Sequence, residues 1–105
     1  MRQAEIYLYN RLAGYLVEDE TRYTFQYDAR YLKDNPIPIS VNFPLQCEGF
    51  HDRTLFPFFD GLIPEGWLLE IALDNWKLDP NDRMGLLLAC CRDCIGAASV
   101  REVKQ

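Results

Sequence analysis

The sequence offers one histidine, His51, in a chain of 105 residues. A single imidazole cannot build a metal site of several histidines, and no serine accompanies it in the pattern of a Ser-His-acid triad. The six glycines are scattered, and neither GxGxxG nor GxxxxGK(S/T) occurs. No set of phosphate-binding loop, lysine and metal-binding acids is recognisable either. We therefore predict a protein that is not an enzyme, with no catalytic residues, no cofactor and no metal.

Long apolar runs and a secretory leader are also missing. A membrane-spanning helix needs about 20 consecutive apolar residues, and charged residues interrupt every apolar stretch well before that length. The N-terminus, MRQAEIYLYN, has charges at Arg2 and Glu5 and lacks the apolar segment of a signal peptide. We expect a cytoplasmic protein.

Basic side chains are outnumbered, with 11 lysines and arginines against 16 acids and a net charge of −5 at pH 7. This sign repels phosphate backbones, so direct nucleic-acid binding is not expected. It does favour approach to a basic groove on another protein. With 49% hydrophobic and 26% charged residues, the composition is that of an ordinary globular protein, and the length predicts a single domain over residues 1–105.

Alternation of apolar and polar residues is the clearest structural signal. It predicts antiparallel strands over residues 4–9, 12–17 and 21–27, joined by short loops into a meander. Gly14 indicates a bulge or a close backbone approach in the second strand. Residues 95–103 predict a last strand that returns to the sheet.

The remaining segments predict helices and one more extended piece. Asp28 is expected to cap a short helical turn, and Asp79 to cap a helix that runs to about Cys91. Residues 37–45 alternate between apolar and polar but contain prolines, which predicts an edge strand, followed by a polar loop over 46–53. The predicted fold class is α+β: an antiparallel β-sheet, made of the N-terminal meander and the C-terminal strand, with two to three helices packed on it.

The pattern over residues 55–76 predicts two helical pieces joined by a tight turn at Pro64-Glu65-Gly66. On a helix from Glu65 onwards, Trp76 lies at the centre of an apolar stripe, which predicts a core residue. Trp67 lies at the edge of this stripe, close to Asp74. A tryptophan next to polar residues is typical of an interface anchor, although another element of the fold could instead cover it. The predicted partner-binding residues are Pro64, Glu65, Gly66, Trp67, Glu70 and Asp74.

The four cysteines allow three interpretations. Cys90, Cys91 and Cys94 lie within five residues, and Cys47 is distant. In a cytoplasmic chain, we expect reduced thiols packed in or near a core. A redox pair of Cys91 and Cys94 is the second interpretation, although a predicted helix C-terminus is the wrong end for lowering a thiol pKa. A zinc site that adds Cys47 and His51 is the third.

Several short motifs are spread over residues 4–100. They are Phe25-x-Tyr27, Pro38-Ile39-Ser40, Pro44-Leu45, Phe58-Phe59-Asp60-Gly61-Leu62-Ile63-Pro64-Glu65-Gly66, Leu87-Leu88 and Arg92-Asp93-Cys94-x-Gly96-Ala97. In combination they resemble the N-terminal subdomain of HipA-like serine/threonine kinases. The sequence departs from the family pattern at Cys91, where glycine more often precedes Arg-Asp, and this departure concerns the local turn.

The resemblance implies a function that composition and periodicity do not reach. Full-length members continue into a kinase body, whereas this sequence stops at Gln105, so it is similar to the HipS-like antitoxins of three-part toxin–antitoxin systems. The implied partners are a HipA-like kinase toxin (HipT) and a helix-turn-helix protein of the HipB type, the latter reached directly or through the kinase. A separate N-terminal fragment of a HipA-like kinase, with a structural role, is the alternative.

Overall fold

The computed structural model of the protein describes residues 2–63, 79, 81–90 and 98–103. This part of the chain contains five strands and three helices, which confirms the α+β class. In chain order they are β1 (Arg2–Leu8), β2 (Arg11–Glu18), β3 (Tyr23–Tyr27), α1 (Ala29–Leu32), β4 (Phe50–Asp52), α2 (Pro57–Asp60), α3 (Arg83–Cys90) and β5 (Ala98–Glu102). None of these helices has the length and apolar character needed to cross a bilayer.

The strands form one antiparallel sheet in the order β4-β3-β2-β1-β5. The predicted meander and the returning C-terminal strand are therefore both confirmed. Tyr9 and Asn10 form the turn between β1 and β2, with φ angles of 50° and 65°. Positive φ at both central residues is typical of the tight hairpin turn that matches the twist of the flanking strands.

Both alternatives predicted for Gly14 are present: a β-bulge between β1 and β2, and a close approach of the Gly14 backbone to β3. The register shifts so that Ile6 faces Gly14 and Tyr7 faces Leu12, which leaves Ala13 without a partner on β1. The Ala13 carbonyl instead accepts the Asp28 N–H at 2.8 Å. A Cβ atom on Gly14 would lie 2.4 Å from the Gln26 carbonyl oxygen, so only glycine fits against β3 here.

One face of the sheet carries the core. Side chains from all three helices bury themselves against it, and Phe25 on β3 lies at its centre with no exposed surface. Its ring lies 5.0 to 5.5 Å from those of Tyr27, Phe43 and Phe59, distances typical of favourable aromatic pairs. The fully buried large side chains are Phe25, Phe59, Ile6, Leu16, Met84, Leu86, Leu87 and Val100.

The predicted edge strand over residues 37–45 is wrong, because no strand forms between α1 and β4. Within this segment Ile39 and Phe43 are buried, four residues apart, whereas the apolar residues between and around them are exposed. Its prolines have no N–H to donate to a ladder. On the side away from β2, β3 pairs with β4, which lies in the predicted polar loop. Phe50 of β4 stacks on Phe25, and His51 follows it at the sheet edge.

The start of α1 is confirmed and that of α3 is corrected. The Asp28 carboxylate accepts the N–H groups of Arg30 and Tyr31 at 3.0 and 3.2 Å. By contrast, the Asp79 carboxylate accepts the Asn81 N–H, and the Asp79 carbonyl accepts the Asp82 N–H, in a local turn before the helix. Asp82 caps α3, since its carboxylate accepts the Gly85 N–H at 3.1 Å.

We expect Asp82→Ala to lower the free energy of unfolding by about 1.5 kcal/mol, because the variant loses a helix cap worth about 1 kcal/mol and a half-exposed ion pair with Arg2. Asp82→Asn keeps a cap acceptor and should lose about half as much. Asp79→Ala should change stability by less than about 0.5 kcal/mol. Urea unfolding of the three variants measures these changes. A larger loss of stability for Asp79→Ala than for Asp82→Ala would show that Asp79 is the cap, as the sequence predicts.

The same carboxylate gives stability a pH dependence. The hydrogen bonds from Arg2 hold the pKa of Asp82 below its ordinary value of 3.8. This contribution is therefore present above pH 4 and is lost as the pH falls through the lowered pKa in the folded state. Asp82→Asn should flatten the acid limb of the unfolding curve relative to the wild type.

Candidate partner-binding site

The predicted site lies outside the part of the chain that the structure describes. This holds for Pro64, Glu65, Gly66, Trp67, Glu70 and Asp74, as well as for Trp76, Cys91 and Cys94. What is described is the frame on both sides of the predicted helical segment: α2 with the residues up to Ile63 before it, and α3 after it.

The backbone before Pro64 is held by consecutive hydrogen bonds. Pro57 occupies the first turn of α2, where a missing N–H costs nothing. The Gly61 N–H donates to the Pro57 carbonyl at 2.9 Å and the Ile63 N–H to the Asp60 carbonyl at 3.2 Å. Phe59 and Ile63 are buried in the core. The chain therefore reaches Pro64 from a fixed position on the core.

An ion pair joins the two elements of this frame. Arg83 at the start of α3 donates from Nε to the Asp60 carboxylate of α2 at 2.6 Å. Both side chains are roughly 40% exposed. A pair this exposed contributes about 0–1 kcal/mol, so it fixes the relative placement of α2 and α3 more than it stabilises the fold.

A second polar cluster links the sheet to α3. Arg2 donates to Glu18 from Nε at 2.6 Å and to both Asp82 oxygens at 2.7 and 2.9 Å. The Tyr23 hydroxyl donates to Glu18 at 3.0 Å, and its burial, together with this hydrogen bond, raises the pKa of Tyr23 to about 12. The Arg2 pKa is raised by the same carboxylates. All four groups are mutually satisfied, which is the arrangement of a structural cluster and not of an acid–base site.

The surface also shows apolar residues that sequence reasoning assigned to a strand. Val41 is 96% exposed, Ile37 48% and Leu45 37%. The segment that carries them, residues 35–47, contains no charged residue. This uninterrupted uncharged run is the sequence signal for an exposed apolar surface, whereas the alternation within it predicts an edge strand.

Two clefts open on the described surface. One, of about 290 Å³, is lined by aromatic and polar residues: Asn42, Phe43, Phe50, His51, Asp52, Phe56, Pro57 and Phe58. The other, of about 480 Å³, lies between Tyr15 and Lys33 at the end of α1. Burial raises the Tyr15 pKa, with the nearby Asp28 carboxylate as a further cause.

Cys47 corrects part of the expectation for the thiols, because it is exposed and free and does not pack into a core. Its carbonyl accepts the Gln26 side-chain amide at 3.0 Å. Within residues 2–63, 79, 81–90 and 98–103, no three residues of the metal-binding types come together. The thiol interpretations of Cys91 and Cys94 stay predictions.

Comparison with known proteins agrees with the motifs. The family model described as HipA N-terminal domain matches residues 4–101. An uncharacterised protein of Haemophilus influenzae is 35% identical over 105 residues, which cover 100% of this chain and 96% of that protein. A solved structure of the N-terminal domain of HipA toxin is 30% identical, with a TM-score of 0.76, and the match covers 100% of this chain and 95% of that one. With sequence motifs, family model and sheet architecture in agreement along nearly its whole length, the chain belongs to the HipA N-terminal domain family.

Proposed function

We propose that this protein is an antitoxin that binds a HipA-like serine/threonine kinase toxin (HipT) and neutralises it by protein–protein contact. The observation that carries the proposal is the family match over residues 4–101, which is a match to the N-terminal domain of HipA and not to a kinase domain. In this proposal, the N-terminal fold is a chain of its own and binds the kinase as a separate protein. It then acts in the cytoplasm by binding alone, without turnover.

The proposed contacts start directly after the hydrogen-bonded residues that follow α2. Pro64 follows Ile63 directly, and hydrogen bonds fix the backbone through Ile63. A rigid entry reduces the ordering cost of binding. The proposed contact residues are Pro64, Glu65, Gly66, Trp67, Glu70 and Asp74.

The chemistry of these residues suits a basic groove on the kinase. Trp67 supplies the aromatic anchor that interfaces favour at their centre. Glu65, Glu70 and Asp74 are three of the 16 acidic residues that give the chain its net charge of −5. Charge of one sign steers association with a partner of the opposite sign. A HipB-type DNA-binding protein joins the complex in this proposal, directly or through the kinase, since the acidic chain itself is poorly suited to DNA.

We expect Trp67→Ala to weaken binding to the kinase by roughly 30-fold or more, because a buried tryptophan anchor is worth about 2–4 kcal/mol and each 1.4 kcal/mol is a factor of ten. Calorimetric titration against a catalytically inactive HipA-like kinase from the source organism measures the dissociation constant. Trp67→Phe keeps an aromatic ring and should lose less affinity. If Trp67→Ala binds and neutralises like the wild type, the corner is not the anchor.

The function itself is tested by kinase activity with and without this protein. We expect the active kinase to lose autophosphorylation when the wild-type protein is added in stoichiometric amounts, and the two chains to co-purify. The second candidate function, a separate N-terminal fragment that completes a HipA-like kinase, fits the same family match. It predicts the opposite change in kinase activity: adding this protein to the kinase should then raise the activity, because it completes the enzyme. Absence of binding would exclude both.

A further inference from the structure

We draw no further inference here: the strongest candidate, the surface patch formed by the exposed Val41 and the cleft of about 290 Å³ that begins at Asn42, combines aromatic rings with the polar side chains of His51 and Asp52, and nothing in the part of the chain that the structure describes shows what covers it.

Discussion

Replacement of Phe25 by alanine is expected to lower the free energy of unfolding by about 4 kcal/mol. The cost of deleting a buried phenylalanine is about 3–5 kcal/mol, and this ring has no exposed surface and packs against four other aromatic rings. It joins β3 to β4 through Phe50, to α2 through Phe59 and to the Asn35–Cys47 loop through Phe43. Its loss would loosen α2, from which the chain enters the proposed contact at Pro64–Trp67.

Urea unfolding followed by circular dichroism measures this loss. Domains of this size have stabilities of about 5–15 kcal/mol, so the variant should remain folded at 25 °C but unfold at a clearly lower urea concentration. Phe25→Leu retains most of the volume and should cost about half as much. A shift below about 1 kcal/mol for Phe25→Ala would mean that the aromatic cluster does not hold the helices on the sheet.

Gly14→Ala is expected to cost about 3 kcal/mol, the next largest effect. The added Cβ would lie 2.4 Å from the Gln26 carbonyl oxygen and 3.0 Å from the Phe25 ring. The first of these atoms belongs to the backbone of β3, so relief requires β2 and β3 to move apart where they pair. Overpacking of this kind costs about 1–3 kcal/mol or more.

Gly49→Ala is the matched control for this prediction. Its Cβ would meet only side-chain atoms of Thr24 and His51, the nearest at 3.3 Å. These side chains can yield, so the change should be within about 0.5 kcal/mol. Thermal unfolding of both variants provides the comparison. Equal melting temperatures for the two variants would show that the bulge at Gly14 tolerates a side chain. Steric exclusion of a Cβ atom would then not explain the glycine at this position.

The strands were predictable because their signals are local. In Tyr23–Tyr27 the alternation of side chains follows from a period of two along the chain, and the buried faces of β1 and β5 follow the same rule. The same rule failed over residues 37–45, where an alternating pattern stands next to prolines. Hydrogen bonds from two tyrosine hydroxyls, supplied by β3 and α1, replace the ladder there. No local pattern contains that information.

The candidate site divides in the same way. The corner at Pro64–Trp67 was proposed from helical periodicity and from the family motif around it, and both are properties of the sequence. The exposure of Val41 and the cleft that begins at Asn42 could not be predicted from the sequence, because exposure depends on which neighbours bury Ile39 and Phe43. The uncharged run over residues 35–47 indicates an unusual segment, but the sequence does not distinguish a strand from an exposed loop there.

By itself the sequence determined the α+β class, the meander, the returning C-terminal strand, the bulge at Gly14 and membership of the HipA family, since each follows from spacing or motif along the chain. Only the tertiary structure decided which aspartate caps α3. Asp79 and Asp82 are equivalent in local chemistry, but the guanidinium of Arg2, 80 residues away, binds the Asp82 carboxylate and leaves Asp79 in a turn. A partner so far away in the sequence comes close only when the chain folds, so the residues near Asp82 in the sequence cannot predict it.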